Sequence, residues 1–357
     1  MKEYPFFPHT EENINDMLDK IGVKSLEELY SDVPKVLDRE LNIPESLSEI
    51  EIKEHINFLS ERNLNLRQIG SFRGAGIYNH YIPSVVYNIA SKRGFLTAYT
   101  PYQAEVSQGT LQMIFEYQTM MCELTGMEVS NASMYDGATS VAEASLMAAR
   151  VTKKSKTLIA KSINPEYIEV TKTYLEPQNF EIEYIDFDKK TGQIDIENLK
   201  NNIDENTNSV IVGYPNFFGI IEDIELIRKN VPEKVMLIVV VGTPIALGLL
   251  ESPGKLGADI VVGDGQPLGN FPALGGPTFG YFASKMKYIR SMPGRIIGET
   301  VDSENNRAFT MVLQTREQHI RRDKATSNIC SNHAHNTLLA SIYLSLIGRK
   351  GLKKLAD

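Results

Sequence analysis

Cysteine is nearly absent from this chain: 357 residues contain two, Cys122 and Cys330. Two cysteines this far apart offer neither a disulfide framework nor a zinc spacing, so a reducing cytoplasm is the default expectation. Basic blocks are also missing, and the net charge of −8 argues against nucleic acid as the main partner. The longest apolar stretch, LIVVVGTPIALGLL (237–250), falls short of the roughly 20 residues a membrane helix needs and is interrupted by Pro244. The opening MKEYPFFPHTEEN has no basic flank followed by an apolar core, so it does not read as a signal peptide. Neither a GxGxxG nor a Walker pattern occurs, which disfavours dinucleotides and nucleoside triphosphates. His333 and His335 lack carboxylates at matching spacing, so no metal site is expected. There is no internal repeat and no low-complexity tract.

What is present is length and alternation. The chain is long enough for one large α/β domain with appendages, or for two domains. Residues 1–65 read as a helical amino-terminal segment: Thr10 precedes EEN, while Ser25/Glu28 and Ser48/Glu51 fit the capping-box spacing. Residues 67–109 are rich in Gly, Tyr and Pro without periodicity, and so long an irregular stretch points to an interface or a function. A helix returns over 110–125, with Gly126 as its stop. Apolar runs follow at 157–160, 181–185, 209–213, 235–241, 259–263 and 278–283, with helical stretches between several of them. One of these is 164–175, with Asn164 as cap and Pro165 in the first turn. The pattern predicts a mostly parallel, doubly wound α/β sheet within a large domain at 66–310. Residues 311–357 read as the start of a carboxyl-terminal small domain, ending soon after the apolar run 337–348.

Four stretches could carry chemistry. SMYDGATSVAEASLMAAR (133–150) is a Gly/Thr/Ser turn opening a long helix, either a plain cap or an anion site at Gly137, Ala138 and Thr139. FLTAYTPYQAEVSQG (95–109) sets Tyr99, Thr100, Tyr102 and Gln103 around Pro101, as packing or as a hydrogen-bonding wall. TREQHIRRDKATSNICSN (315–332) is a solvated basic face with its turn, or an anion holder at Thr326, Ser327 and Asn328. GADIVVGDGQPLGNFPALGGPTFGYFAS (257–284) is a buried strand entering a polar Gly/Pro loop, the place where α/β proteins keep ligands. Its centre is Gln266, and the loop holds no Lys, His or Cys, nor a Ser, to act as base or nucleophile.

Together these stretches, with PHTEENINDML, YPNFFG (214–219), GDGQPLG (263–269), PGRIIGET (293–300) and TREQHIRRDKATSNIC (315–330), resemble the glycine-cleavage P-proteins, glycine dehydrogenase (decarboxylating). The resemblance is to subunit 1 of the two-subunit form and runs over essentially the whole chain. It implies the aspartate-aminotransferase type of fold used by pyridoxal-phosphate enzymes. Subunits of this kind normally continue beyond 357, so a shortened carboxyl-terminal domain is expected.

The resemblance also implies an activity: glycine decarboxylation with pyridoxal phosphate, the aminomethyl group passing to the lipoyl arm of the H-protein. In subunit 2 an H-K-T at the equivalent strand end supplies the Schiff-base lysine. Counting back from GGP (275–277), that position is Gln266 here, and an amide cannot form an imine. Where related chains keep an Asp-Pro, this one has Thr243 before Pro244. The implied picture is a vestigial cofactor site at Gly137, Ala138, Thr139, Thr243 and Gln266, with the cofactor held by subunit 2, two copies of each subunit, and a cytoplasmic setting. Tyr99, Thr100, Tyr102 and Gln103 would then face the partner's glycine site, and the Thr326–Asn328 turn would reach the partner's phosphate. A non-catalytic scaffold that stabilises subunit 2 or docks the H-protein is the competing reading. A free-standing enzyme using Lys161 or Lys285 is a third, and neither lysine has the expected strand-loop context.

Overall fold

The structure is a computed structural model that describes residues 9–33, 42–65, 68–70, 72, 76–273, 275–276, 278–329 and 333–357. Cys330 lies outside them. The chain divides into two compact units, Met1–Ile69 and Gly70–Asp357.

In the first unit, α1 (Glu11–Ile21) and α2 (Glu49–Glu61) each start with a reciprocal capping box, Thr10 with Asn13 and Ser48 with Glu51. The expectation for Ser25/Glu28 is corrected. Leu26–Tyr30 is a 3-10 turn without a side-chain cap, because the Glu28 carboxylate accepts from the Lys24 amide instead.

The second unit begins with α3 (Ser84–Ala90) and α4 (Arg93–Leu96), so the stretch read as irregular contains two short helices. The long α5 (Gln108–Thr125) ends at Gly126, whose φ of 72° is the left-handed conformation that glycine adopts without strain. Strand β1 (Val129–Ser130), helix α6 (Gly137–Thr152), β2 (Lys156–Ala160), α7 (Pro165–Leu175), β3 (Glu181–Ile185), α8 (Ile196–Asn202), β4 (Thr207–Gly213), α9 (Ile224–Asn230), β5 (Met236–Val240), β6 (Ile260–Asp264) and β7 (Gly280–Ser284) follow. They build a seven-stranded sheet in the order β1-β7-β6-β5-β4-β2-β3 among the described residues. Strands β3, β2, β4, β5 and β6 run parallel, and β7 runs antiparallel to both of its neighbours, β6 and β1. Every residue of β4 and β5 is buried, which is why Val210–Val212 and all of β5 run apolar without alternating. All six apolar runs picked out in the sequence are strands of this sheet.

The pair β8 (Ile296–Val301) and β9 (Arg307–Val312) forms a separate antiparallel hairpin that the sequence reading missed. Its buried face, Ile297, Phe309 and Met311, packs with Leu111 and Ile114 of α5. After α10 (Gln318–Arg321), α11 (Ala334–Ala356) closes the chain with a break at Gly348. Among the described residues no helix is long and apolar enough to cross a membrane.

Candidate functional site

Strand β6 ends at Asp264, and what that carboxylate touches decides what the following loop can do. It is buried, and it accepts from the Gln266 amide at 2.8 Å, the Thr278 hydroxyl at 2.7 Å and the Gly137 amide at 3.1 Å. Burial pushes the Asp264 carboxyl above its ordinary range, and these three donors pull it back. Gly137 opens α6, whose cap is Asp136 accepting from the Thr139 amide at 2.8 Å. Two carboxylates therefore already take the Gly137 and Thr139 amides of the first turn. The Tyr167 phenol closes over the same place: a Cβ on Gly137 would lie 2.3 Å from its oxygen, so only glycine fits. A helix start of this kind would ordinarily welcome a phosphate. Here a phosphate would meet like charge and a plugged turn.

Gln266 is 2% exposed and both ends of its amide are engaged. Its oxygen accepts from the Tyr78 backbone amide at 3.3 Å, and its nitrogen donates to the Asn270 carbonyl at 2.6 Å. Asn270 in turn donates to the Asn336 carbonyl, and Asn336 to that of Thr278, tying the loop to the start of α11. The position is a joint within the protein.

Thr243 lies just beyond β5 and lines a cavity of about 600 Å³ with Tyr78, His80, Asn216, Phe217 and Phe218. Neither a carboxylate nor a lysine lines it among the described residues. Burial lowers the His80 imidazole pKa, and its Nε2 has no partner. Lys161 pairs with Asp186, and Lys285 with Asp259 ahead of β6, at the strand end opposite Gln266. The residues that would hold pyridoxal phosphate within this chain do not fit it: there is no lysine at 266, no acid by Thr243, and a self-filled α6 start.

The two remaining candidate groups line other cavities, Thr139 sharing one of them. Tyr99 and Thr100 line a small cavity beside Arg295, Tyr102 accepts from the Arg295 guanidinium at 2.7 Å, and Gln103 precedes a short 3-10 turn at Ala104–Val106. Thr326, Ser327 and Asn328 line a cavity of about 520 Å³ over α6. There the Ser327 hydroxyl donates to Glu143 at 2.6 Å. Burial raises the Glu143 carboxyl, with Ser327 and Arg150 opposing. Asp264, Asp136, Tyr167, Glu143 and Arg295 were not singled out in the sequence. Only Asp136, a cap-type residue three positions before Thr139, carried a readable signal.

A family model described as glycine cleavage system P-protein matches residues 5–357. The chain belongs to that family. It is 54% identical over 353 residues to a probable glycine dehydrogenase (decarboxylating) subunit 1 of Thermotoga maritima, covering 99% of this chain and 79% of that one. A crystal structure of glycine decarboxylase (P-protein) of the glycine cleavage system, in inhibitor-bound form, superposes with a TM-score of 0.90 at 42% identity, covering 98% of this chain and 79% of that one. A Burkholderia pseudomallei sphingosine-1-phosphate lyase, at TM-score 0.61 and 14% identity over 92% of this chain and 74% of that one, shares the fold alone. The P-protein family is thus reached with an α/β architecture whose sheet and loops agree with the expected fold class. Within it, Gln266 stands in an environment built for an amide.

Proposed function

We propose that this chain is subunit 1 of a two-subunit P-protein that decarboxylates glycine, working in the cytoplasm as two copies of each subunit. Subunit 2 would hold the pyridoxal phosphate covalently, and the aminomethyl group would pass to the lipoyl arm of the H-protein. The whole-length likeness to chains named glycine dehydrogenase (decarboxylating) subunit 1 supports the reading. The observation that carries it is Gln266: buried, bonded at both ends and incapable of an imine, it makes a lysine-bearing partner necessary. Exposed aromatics support a partner surface, with Tyr81 at 69% and Tyr99 at 71%. In this reading Tyr99, Thr100, Tyr102 and Gln103 face the partner's glycine, and the Thr326–Asn328 turn, held by Glu143, reaches the partner's phosphate. The scaffold alternative draws on the same missing lysine.

Co-expression with a subunit 2 and an assay of glycine–carbon dioxide exchange test the proposal, and absence of exchange that subunit 2 alone also lacks would refute it. Tyr99→Phe and Tyr102→Phe separate the two readings. A phenol acting on developing charge is worth about a hundredfold in rate, whereas a structural hydroxyl at an interface contributes about 1 kcal/mol to assembly. Lower turnover with intact assembly supports the shared active site. Weaker assembly with normal turnover at saturating subunit 2 supports the scaffold.

A further inference from the structure

The turn Met292–Arg295 leads into β8 and is pinned from several sides. Asn131 donates to the Pro293 carbonyl at 3.0 Å, and the Arg316 guanidinium donates to the carbonyls of Met292 and Gly294. Gly294 sits at φ 74°, and a Cβ there would lie 2.7 Å from the Asn131 amide nitrogen. Two residues beyond Arg295, Gln118 exchanges two hydrogen bonds with the Ile297 backbone, both at 2.9 Å. The backbone beneath Arg295 is therefore fixed on both sides.

The Arg295 side chain is not matched in the same way. Its Nη2 donates to the Tyr102 phenol, and its guanidinium carbon stands 5.2 Å from the centre of the Tyr102 ring. Its Nε and Nη1 are buried and have no acceptor. A phenol does not neutralise a cation, and a buried charged donor without an acceptor is destabilising. Beside it lies a cavity of about 140 Å³ whose walls include Tyr99, Thr100, Pro101, Ile114, Met311 and His335. At roughly 30 Å³ per water, that is room for about five heavy atoms. The walls are mostly apolar and offer the guanidinium no carboxylate.

We propose that Arg295 is a carboxylate-binding residue, and that the cavity behind the Tyr99–Tyr102 loop takes a small monocarboxylate the size of acetate or glycine. A carboxylate matches a guanidinium fork with two parallel hydrogen bonds and the missing charge. Nε and Nη1 are buried, with the Tyr102 ring over the guanidinium, so entry requires the loop to shift. The site belongs to this chain by itself and stands whether or not the chain works with a subunit 2.

The test uses the isolated full chain, with the arginine Nε–H resonances followed by NMR and that of Arg295 identified by its loss in Arg295→Gln. Sodium acetate and glycine should shift it saturably, with a dissociation constant on the order of millimolar, which five heavy atoms permit. Glycinamide, which has the amine without the carboxylate, should leave it unmoved, and so should benzoate, which is too large. No shift with acetate beyond that of an equal concentration of sodium chloride would overturn the proposal. An equal response to glycinamide, or saturable acetate binding that persists in Arg295→Gln, would do the same. Failure of this titration leaves the exchange assay with subunit 2 unaffected, and the reverse also holds.

Discussion

Gln266→Lys would restore the residue that an imine-forming enzyme needs, and the structure says what it would do instead. A lysine has three donors and no acceptor. It can still donate to the Asn270 carbonyl, but the Tyr78 amide loses its acceptor, at about 1–3 kcal/mol. The ammonium would sit where the side chain is 2% exposed, and burying an ion costs several kcal/mol before compensation. Asp264, bonded to the residue-266 backbone amide at 2.8 Å, returns part of that. The expected net loss at pH 7 is about 2–4 kcal/mol, read as a lower urea midpoint at unchanged slope. Burial lowers the lysine pKa in the folded state below the unfolded value of about 10.4, so between the two the unfolded chain binds more protons. Stability of the variant relative to the parent must then rise with pH, by at most about 1.4 kcal/mol per unit, and the deficit should narrow between pH 7 and 9. With pyridoxal phosphate and borohydride, no stoichiometric pyridoxyl-lysine should appear at 266, because Asp136 and Asp264 already fill the α6 start. A loss below about 0.5 kcal/mol, or a deficit flat with pH, would show that the lysine escapes to solvent and the site is less closed than described. Glycine decarboxylation by the single variant without subunit 2 would refute the reasoning outright.

Two further expectations concern the same helix. Burial holds the Glu143 carboxyl above its ordinary value, so its contribution to stability falls as pH rises through the range just above the unfolded pKa. Glu143→Gln should therefore melt above the parent at pH 7, with the two curves converging as the pH falls towards 4. A variant advantage that grew on acidification would contradict this sign. Gly137→Ala should cost about 1–3 kcal/mol from the collision with Tyr167, and less in a Tyr167→Phe background, where the closest oxygen is gone. Equal cost in both backgrounds would place the strain elsewhere.

The fold was legible wherever local chemistry and burial agreed. Strands β4 and β5 are covered on both faces, so their composition alone marks them, and the Ser48 capping box works because nothing competes for Glu51. The Ser25 box failed because an equally local acceptor relation, Glu28 to the Lys24 amide, was available. The β8–β9 hairpin escaped because its register depends on α5 packing beneath it, and its turn, with Asn305 at φ 63°, lacks the two-residue Asn-Gly or Asp-Gly form that announces a hairpin. The site divides in the same way. Gln266 is visible as a single letter, but the Asp264–Gly137 bond at the α6 start joins residues 127 apart, and no sequence window contains both.

The hydrogen bonds at position 266 explain why a glutamine stands there. Position 266 must accept from the Tyr78 amide and donate to the Asn270 carbonyl at once. Lysine can only donate, and leucine or methionine would strand both groups. Glutamate would answer Tyr78 but bring a third carboxylate towards Asp136 and Asp264 while leaving the Asn270 carbonyl without its donor. Among side chains of that length only a primary amide supplies one of each without charge. The glutamine joins a segment near Tyr78, the β6 loop and the start of α11, so this loop serves as a joint. Any substitution aimed at recovering chemistry at this position must first replace that joint.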